Sequence, residues 1–207
     1  MKEKKSFAVL ASGRGTNFEA LARAAENPDF PGVIKVLIVN VPEAQVINRA
    51  NTFRIPSVVV DHRQFKKRQD FETEVIRILE PYSVELICLA GFNRILSSLF
   101  LQRFPMRIMN IHPSLLPAFA GLQGIDVHRA VIEYGVKVTG CTVHFVTDDV
   151  DAGPIIIQRA ISVRDVDTPE SLALRVLVEE HQAYPQAVRL FLEDRLEIVG
   201  RRVFIRF

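Results

Sequence analysis

Three short segments carry side chains whose types and spacing suit group transfer. The first is Met109-Asn110-Ile111-His112-Pro113-Ser114. Alternate residues of a strand share one face, so Asn110 and His112 point the same way. Pro113 disfavours the helical region for His112 and keeps the pair extended. A carboxamide can donate a hydrogen bond to a developing oxyanion. An imidazole beside it can move a proton or, when charged, stabilise the same oxygen. Acyl transfer needs that combination, although a polar pair capping a strand end is the plainer alternative.

The second segment is Thr147-Asp148-Asp149-Val150-Asp151-Ala152-Gly153-Pro154. Asp, Gly and Pro are ordinary turn residues, so it is either a solvated acidic turn or the source of a carboxylate that orients His112. Local spacing does not choose between them. The third segment is Ser12-Gly13-Arg14-Gly15-Thr16-Asn17, between an apolar run and a helical stretch. Glycines let several backbone N–H groups converge, and a helix N-terminus adds partial positive charge, which makes a cradle for one phosphate group. Phe18 replaces the third glycine of a dinucleotide fingerprint, and no Gly-Lys-Ser/Thr follows, so neither a dinucleotide nor a triphosphate loop is indicated. A tight turn that needs Gly for its backbone angles is the competing reading. One further carboxylate, Glu180, lies among Leu172, Val176, Tyr184 and Val188, which recur at fours along a helix. It either meets a substrate amine or reaches solvent from the edge of the apolar stripe.

These segments need a frame. Short apolar runs at 7–11, 33–40, 57–61, 84–90 and 107–111 read as buried strands. Helical stretches at 17–26, 43–52, 69–80 and 97–103 alternate with them. That alternation predicts an α/β fold: a single domain with a mostly parallel, Rossmann-like sheet flanked by helices. After Pro113 a helix is expected at 125–134. Two β-prone runs, 137–146 and 154–163, then read as an antiparallel addition to the C-terminal half. A long helix from Pro169 to about Glu193, with Thr168 as its N-cap, is expected to be kinked or divided at Pro185. A small hairpin, 196–199 with 203–207, closes the chain. Residues 1–105 are expected to form a phosphate-binding half and 106–207 a catalytic half, with no linker between them. The phosphate strand ends and the Asn–His strand ends fall on one edge, where open α/β sheets bind ligands.

Composition narrows the function classes. Hydrophobic residues make up 48% of the 207 residues, which excludes a disordered chain. The net charge of +2 and the scattered basic residues give no nucleic-acid or membrane footprint. No apolar stretch reaches the length of a membrane span, and the N-terminus lacks a signal-peptide core. Cys88 and Cys141 read as buried free thiols in a reducing, cytoplasmic compartment. His62, His128, His144 and His181 form no ligand cluster, so no metal is expected.

With these residues in hand, the chain resembles the phosphoribosylglycinamide formyltransferases, a folate-dependent formyltransferase family, over nearly its whole length. The resemblance rests on 9–17 (VLASGRGTN), 89–96 (LAGFNRIL), 110–119 (NIHPSLLPAF), 138–156 (VTGCTVHFVTDDVDAGPII) and 179–185 (EEHQAYP), in the family's order. It implies the formyltransferase fold and transfer of a formyl group from 10-formyltetrahydrofolate, as co-substrate, to glycinamide ribonucleotide in purine synthesis. It implies that Asn110, His112 and Asp151 are catalytic. Gly15, Thr16, Asn17 and Glu180 would bind the ribonucleotide. Arg68, Arg94, Ile95, Leu96 and the loop from Val143 to Asp148 would line the folate pocket. Partners would be small molecules, and the chain a monomer or homodimer.

Two stretches depart from the family pattern. Residues 120–127 look longer than the common version, which leaves roles for Asp126 and His128 open. Asn40-Val41-Pro42 differs from the usual run after the second strand. Two relatives are weaker fits: a formyltetrahydrofolate deformylase is expected to carry an additional N-terminal domain, and a methionyl-tRNA formyltransferase a basic C-terminal one. A non-catalytic folate- or phosphate-binding module on the same fold is the remaining alternative.

Overall fold

A computed structural model describes residues 3–206. Strands β1 (Lys5–Ala11), β2 (Gly32–Val39), β3 (Ser57–Val59), β4 (Leu86–Leu89) and β5 (Ile108–His112) pair in parallel. Helices α1 (Thr16–Glu26), α2 (Val46–Thr52), α3 (Arg68–Leu79) and α4 (Ser98–Arg103) connect or follow them. Period-two alternation along the strands assigns each side chain to a face. Phe7, Val9 and Ala11 pack with α1, α2 and the last helix, whereas Ala8 and Leu10 pack with α3 and α4. Both faces are covered, and that is why these strands are apolar at nearly every position.

The second half adds α5 (Ile125–Glu133), β6 (Val138–Phe145), β7 (Ile155–Ser162), α6 (Pro169–Leu192), β8 (Leu196–Val199) and β9 (Arg202–Ile205). One nine-stranded sheet results, in the order β3-β2-β1-β4-β5-β6-β7-β9-β8. Strands β6 and β7 are antiparallel, as their length and acidic turn predict. The closing hairpin is not a separate appendage, because β9 pairs with β7 and extends the sheet. Its expected last residue, Phe207, lies outside the described residues.

Helix α6 is continuous through Pro185, where a division was an expected alternative. Pro185 removes one N–H from the ladder, but Ala183, Tyr184, Ala187 and Val188 are buried on either side of it, and that packing holds the helix. Its start matches expectation: the Thr168 side chain accepts from the Ser171 N–H, and Ser171 bonds back to the Thr168 N–H. Helix α2 begins three residues later than its apolar pattern suggests, because Val41–Ala44 closes a turn first, with the Ala44 N–H on the Val41 carbonyl.

Strand order reverses between β1 and β4. The loops after these two strands therefore diverge and leave a crevice at their C-terminal ends. The glycine turn and the Asn110–His112 strand end lead into that crevice, whereas the acidic loop leaves β6 beside Ile108.

Candidate active site

The crevice holds a cleft of about 710 Å³. The turn Gly13–Asn17 and the segment Leu89–Leu96 form parts of its wall, and Asn110 and His144 line its floor. The acidic loop contributes Thr147, Asp149, Val150 and Asp151, and α6 contributes Leu174, Leu177 and Glu180. Residues from both halves of the chain thus share one cavity.

At the glycine turn, Gly15 takes the left-handed conformation (φ 76°, ψ 28°) as the residue preceding α1. Turn carbonyls are held from outside: the Val46 N–H donates to Gly13 O at 3.1 Å, and Arg49 Nε to Arg14 O at 2.8 Å. No side chain caps α1. Its first N–H groups therefore face the cleft without an intrahelical partner, as an anion site requires. A Cβ on Gly15 would lie 2.6 Å from Val46 Cβ, so the turn is close-packed as well as left-handed. Gly15→Ala is expected to lower the thermal midpoint and weaken binding of a phosphorylated ligand together. Thermal melts with and without inorganic phosphate check this; unchanged phosphate stabilisation would detach the turn from anion binding.

Asn17 looks across to α6. Its Nδ2 donates to Glu180 Oε2 at 2.6 Å, while its Oδ1 is buried without a partner. Glu180 is 7% exposed, so the alternative of a carboxylate reaching solvent does not hold. Burial pushes its carboxyl above the usual range, against the opposing Asn17 bond and the nearby Arg14 charge. A buried carboxylate at a cavity wall is the partner a cationic or amine ligand needs.

On the floor, β5 and β6 pair so that Asn110 stands opposite His144 and His112 opposite Thr142. Directly opposed residues share a face, which brings the four side chains together. Asn110 Nδ2 lies 3.3 Å from His144 Nε2, and His144 Nδ1 lies 2.9 Å from the Phe145 carbonyl. A carbonyl only accepts, so the proton sits on Nδ1 and Nε2 accepts from the carboxamide. His144 thereby fixes which edge of Asn110 is amide and which is oxygen. Thr142 anchors the loop beyond His112 instead, donating to Ser114 O at 2.7 Å and accepting from the Leu116 N–H at 3.0 Å.

His112 is 4% exposed. Its Nδ1 lies 3.3 Å from Asp151 Oδ2 and its Nε2 3.2 Å from the Phe119 carbonyl. The Gly121 N–H donates to the same Asp151 oxygen at 2.9 Å. Of the three loop carboxylates, Asp151 is therefore the neighbour of His112. Asp148 instead bonds the Ser98 hydroxyl. Both partners of His112 are acceptors and favour the imidazolium, yet burial outweighs them and holds the pKa below its ordinary value. The neutral ring must leave one nitrogen lone pair facing an oxygen. Burial thus keeps the resting ring neutral, and the two acceptors are in place to hold the imidazolium once it forms.

Burial also lowers His128 and His144 below the ordinary 6.5. The unfolded chain then binds these protons at higher pH than the folded one. Stability contributed by the neutral rings is full above about 6.5 and falls as pH drops through the folded values. Thermal midpoints between neutral and mildly acidic pH are expected to decline on acidification. A flat profile in that window would show the histidines are not held neutral.

The remaining expected residues are placed unevenly. Arg94, Ile95 and Leu96 border the cleft. Arg68 stands behind that wall, its Nη1 3.4 Å from the Ile95 carbonyl. Val143 is fully buried in the core and does not border the cleft. Asp126 pairs with Arg129 on the exposed side of α5, whereas His128 is buried, borders the cleft and leaves Nδ1 unpartnered. Asn40 is buried and structural: its Nδ2 donates to Asn93 Oδ1 at 2.9 Å, and Ser12 Oγ lies within bonding distance of both amide oxygens. The sequence places His144 only within the expected folate-lining stretch and as an isolated histidine; the β5–β6 register is the signal that links it to Asn110. Burial drives the Cys88 thiol far up and Cys141 to about 12, so neither is a nucleophile. Among the described residues no group of three or more His, Cys, Asp or Glu side chains could hold a metal ion, and no helix is long and apolar enough to cross a membrane.

The comparisons with known proteins agree with this geometry. The sequence profile of the formyl transferase family matches residues 5–188. A phosphoribosylglycinamide formyltransferase of Bacillus subtilis is 41% identical over 91% of this chain and 95% of its own. The trifunctional purine biosynthetic protein adenosine-3 of Gallus gallus is 46% identical over 94% of this chain, which spans about 19% of that protein's length. The crystal structure of glycinamide ribonucleotide transformylase 1 from Symbiobacterium toebii superimposes with a TM-score of 0.96 at 44% identity, covering 100% of this chain and 96% of that one. A formyltetrahydrofolate deformylase from Pseudomonas syringae pv. tomato has a TM-score of 0.91 at 25% identity, with 67% of its chain covered. The fold, the paired strands that carry Asn110 and His144, and the relatives aligned along nearly the whole chain agree: this chain belongs to the formyl transferase family, among the phosphoribosylglycinamide formyltransferases.

Proposed function

We propose that the chain transfers the formyl group of 10-formyltetrahydrofolate to the primary amine of glycinamide ribonucleotide, yielding the formylated ribonucleotide and tetrahydrofolate in purine synthesis. The observation that carries this reading is that one cleft brings together the glycine-turn cradle, the buried Glu180, the carboxamide of Asn110 and the apolar side chains of Phe92, Ile95, Leu96 and Val146.

The cradle N–H groups of 15–17 hold the ribose phosphate, and Glu180 orients the amine. The amine nitrogen bonds to the formyl carbon while the bond from that carbon to the folate nitrogen breaks. Asn110 Nδ2, turned by His144, donates to the formyl oxygen as it gains charge. His112 takes up the amine proton, directly or through water, and Asp151 stabilises the imidazolium. The proton then passes to the departing folate nitrogen, so atoms and charge balance. In the described conformation the Phe119 carbonyl occupies His112 Nε2, so the 113–124 loop withdraws before His112 reaches the reacting atoms. The residues supply all these roles without a metal ion. Incubation with both substrates and mass spectrometry of the ribonucleotide tests the reaction; an unformylated ribonucleotide after full folate consumption would overturn it.

The similarity to the deformylase supports a second reading, in which water replaces the amine. The Gly13–Asn17 cradle and Glu180 favour the transferase, because hydrolysis has no ribonucleotide to hold.

A further inference from the structure

The cleft wall 89–96 ends at Ser97, which precedes the first residue of α4, and Ser97 does not cap its own helix. Both of its donor groups turn to α3 instead. The Ser97 N–H donates to Glu72 Oε1 at 2.7 Å, and the Ser97 hydroxyl donates to Glu72 Oε2. Glu72 is 1% exposed, and its nearest cation, Arg68 Nε, lies 3.9 Å away. A carboxylate buried this deeply is costly unless its bonds are made, so its position and that of Ser97 are mutually fixed. The same face of α3 makes two more contacts with the wall. Phe71 stacks on Phe92 with ring centroids 6.5 Å apart, and Arg68 reaches the Ile95 carbonyl. Residues 68, 71 and 72 are neighbours on one helical face, so α3 grips the wall from behind at three points. The next residue, Ser98, bonds Asp148, which ties the acidic loop to the same helix start.

We propose that Glu72 is a positioning residue for the folate co-substrate: through Ser97 it sets the wall formed by Arg94, Ile95 and Leu96 and touches neither substrate itself. The assignment rests on the folate reading above. It separates folate binding from ribonucleotide binding, because Glu72 has no bond to the glycine turn, to Glu180, to His112 or to the Asn110–His144 floor.

The test uses the full chain with Glu72→Ala, Glu72→Gln and Ser97→Ala. Titration calorimetry with tetrahydrofolate reads binding without turnover, and steady-state kinetics reads the rest. Glu72→Ala is expected to weaken tetrahydrofolate binding and raise the formyl-folate KM roughly tenfold, in line with the loss of hydrogen bonds to a charged group. The ribonucleotide KM and kcat at saturating folate stay within about twofold by the same reasoning. Glu72→Gln recovers most of the loss, because its amide oxygen accepts from the Ser97 N–H and its NH₂ donates to a reversed hydroxyl. Ser97→Ala gives a smaller loss, and adding it to Glu72→Ala changes little more. Unchanged folate affinity in a folded Glu72→Ala overturns the proposal. So does a parallel fall in all kinetic constants without rescue by glutamine, which marks a merely structural residue. If Glu72→Ala does not fold, unchanged folate affinity in Ser97→Ala overturns it equally. A parent that binds tetrahydrofolate without transferring formyl refutes the proposed reaction alone, and the affinities still decide the role of Glu72.

Discussion

His112→Ala is expected to lower kcat roughly 10²–10⁴-fold, the usual range for a positioned acid–base group, with both KM values near the parent. Asp151 borders the cleft and His112 does not, so removal of the imidazole deletes proton transfer without removing a wall of the cleft. Asp151→Asn is the sharper companion, because it keeps the shape and the bond from the Gly121 N–H but removes the charge. Its His112 loses the carboxylate that favours the imidazolium, so the proton is taken up at lower pH. The acid limb of the pH–rate profile is then expected to move to lower pH while the plateau falls. Circular dichroism and thermal melts establish folding for each variant. A folded His112→Ala with near-parent turnover would remove His112 from the mechanism, and an unshifted Asp151→Asn profile would remove its orienting partner.

Asn110→Ala is expected to cost about 10²–10³-fold in kcat, the range for deleting one oxyanion donor. Its neighbour supplies a control. His144 accepts from Asn110 Nδ2 at 3.3 Å and has its other nitrogen on the Phe145 carbonyl. His144→Ala therefore leaves the carboxamide in place but free to turn. A smaller kcat loss is expected, and in the double variant the two losses should not add. Rates for the two single variants and the double variant check this. Additive losses would mean that His144 acts on the reaction independently of Asn110.

Much of the frame was legible in the chain. Apolar runs such as 7–11 can only be buried on both faces, and alternating helices then force a parallel sheet. Asn110 and His112 could be put on one face at a strand end because a strand has a fixed period. The unread parts depend on long-range register. His144 joins Asn110 only because β6 returns antiparallel with one particular pairing, and no local spacing in 143–148 encodes it. Likewise Asp151 rather than Asp148 meets His112 because the acidic loop folds back with Asp151 at φ 52°, while Asp148 is drawn to Ser98. Arg68 and Val143 were expected to line the folate pocket; Arg68 buttresses the wall from behind, and Val143 points into the core from the strand before the loop. Pro185 shows the opposite balance, in which buried contacts on both sides override a local helix breaker.

The most direct test of the central claim is a steady-state assay of folate product by absorbance, with 10-formyltetrahydrofolate supplied with and without glycinamide ribonucleotide. The account predicts folate release only when the ribonucleotide is present, with a rate that saturates in both substrates. Equal release in its absence would contradict the account and identify water as the acceptor.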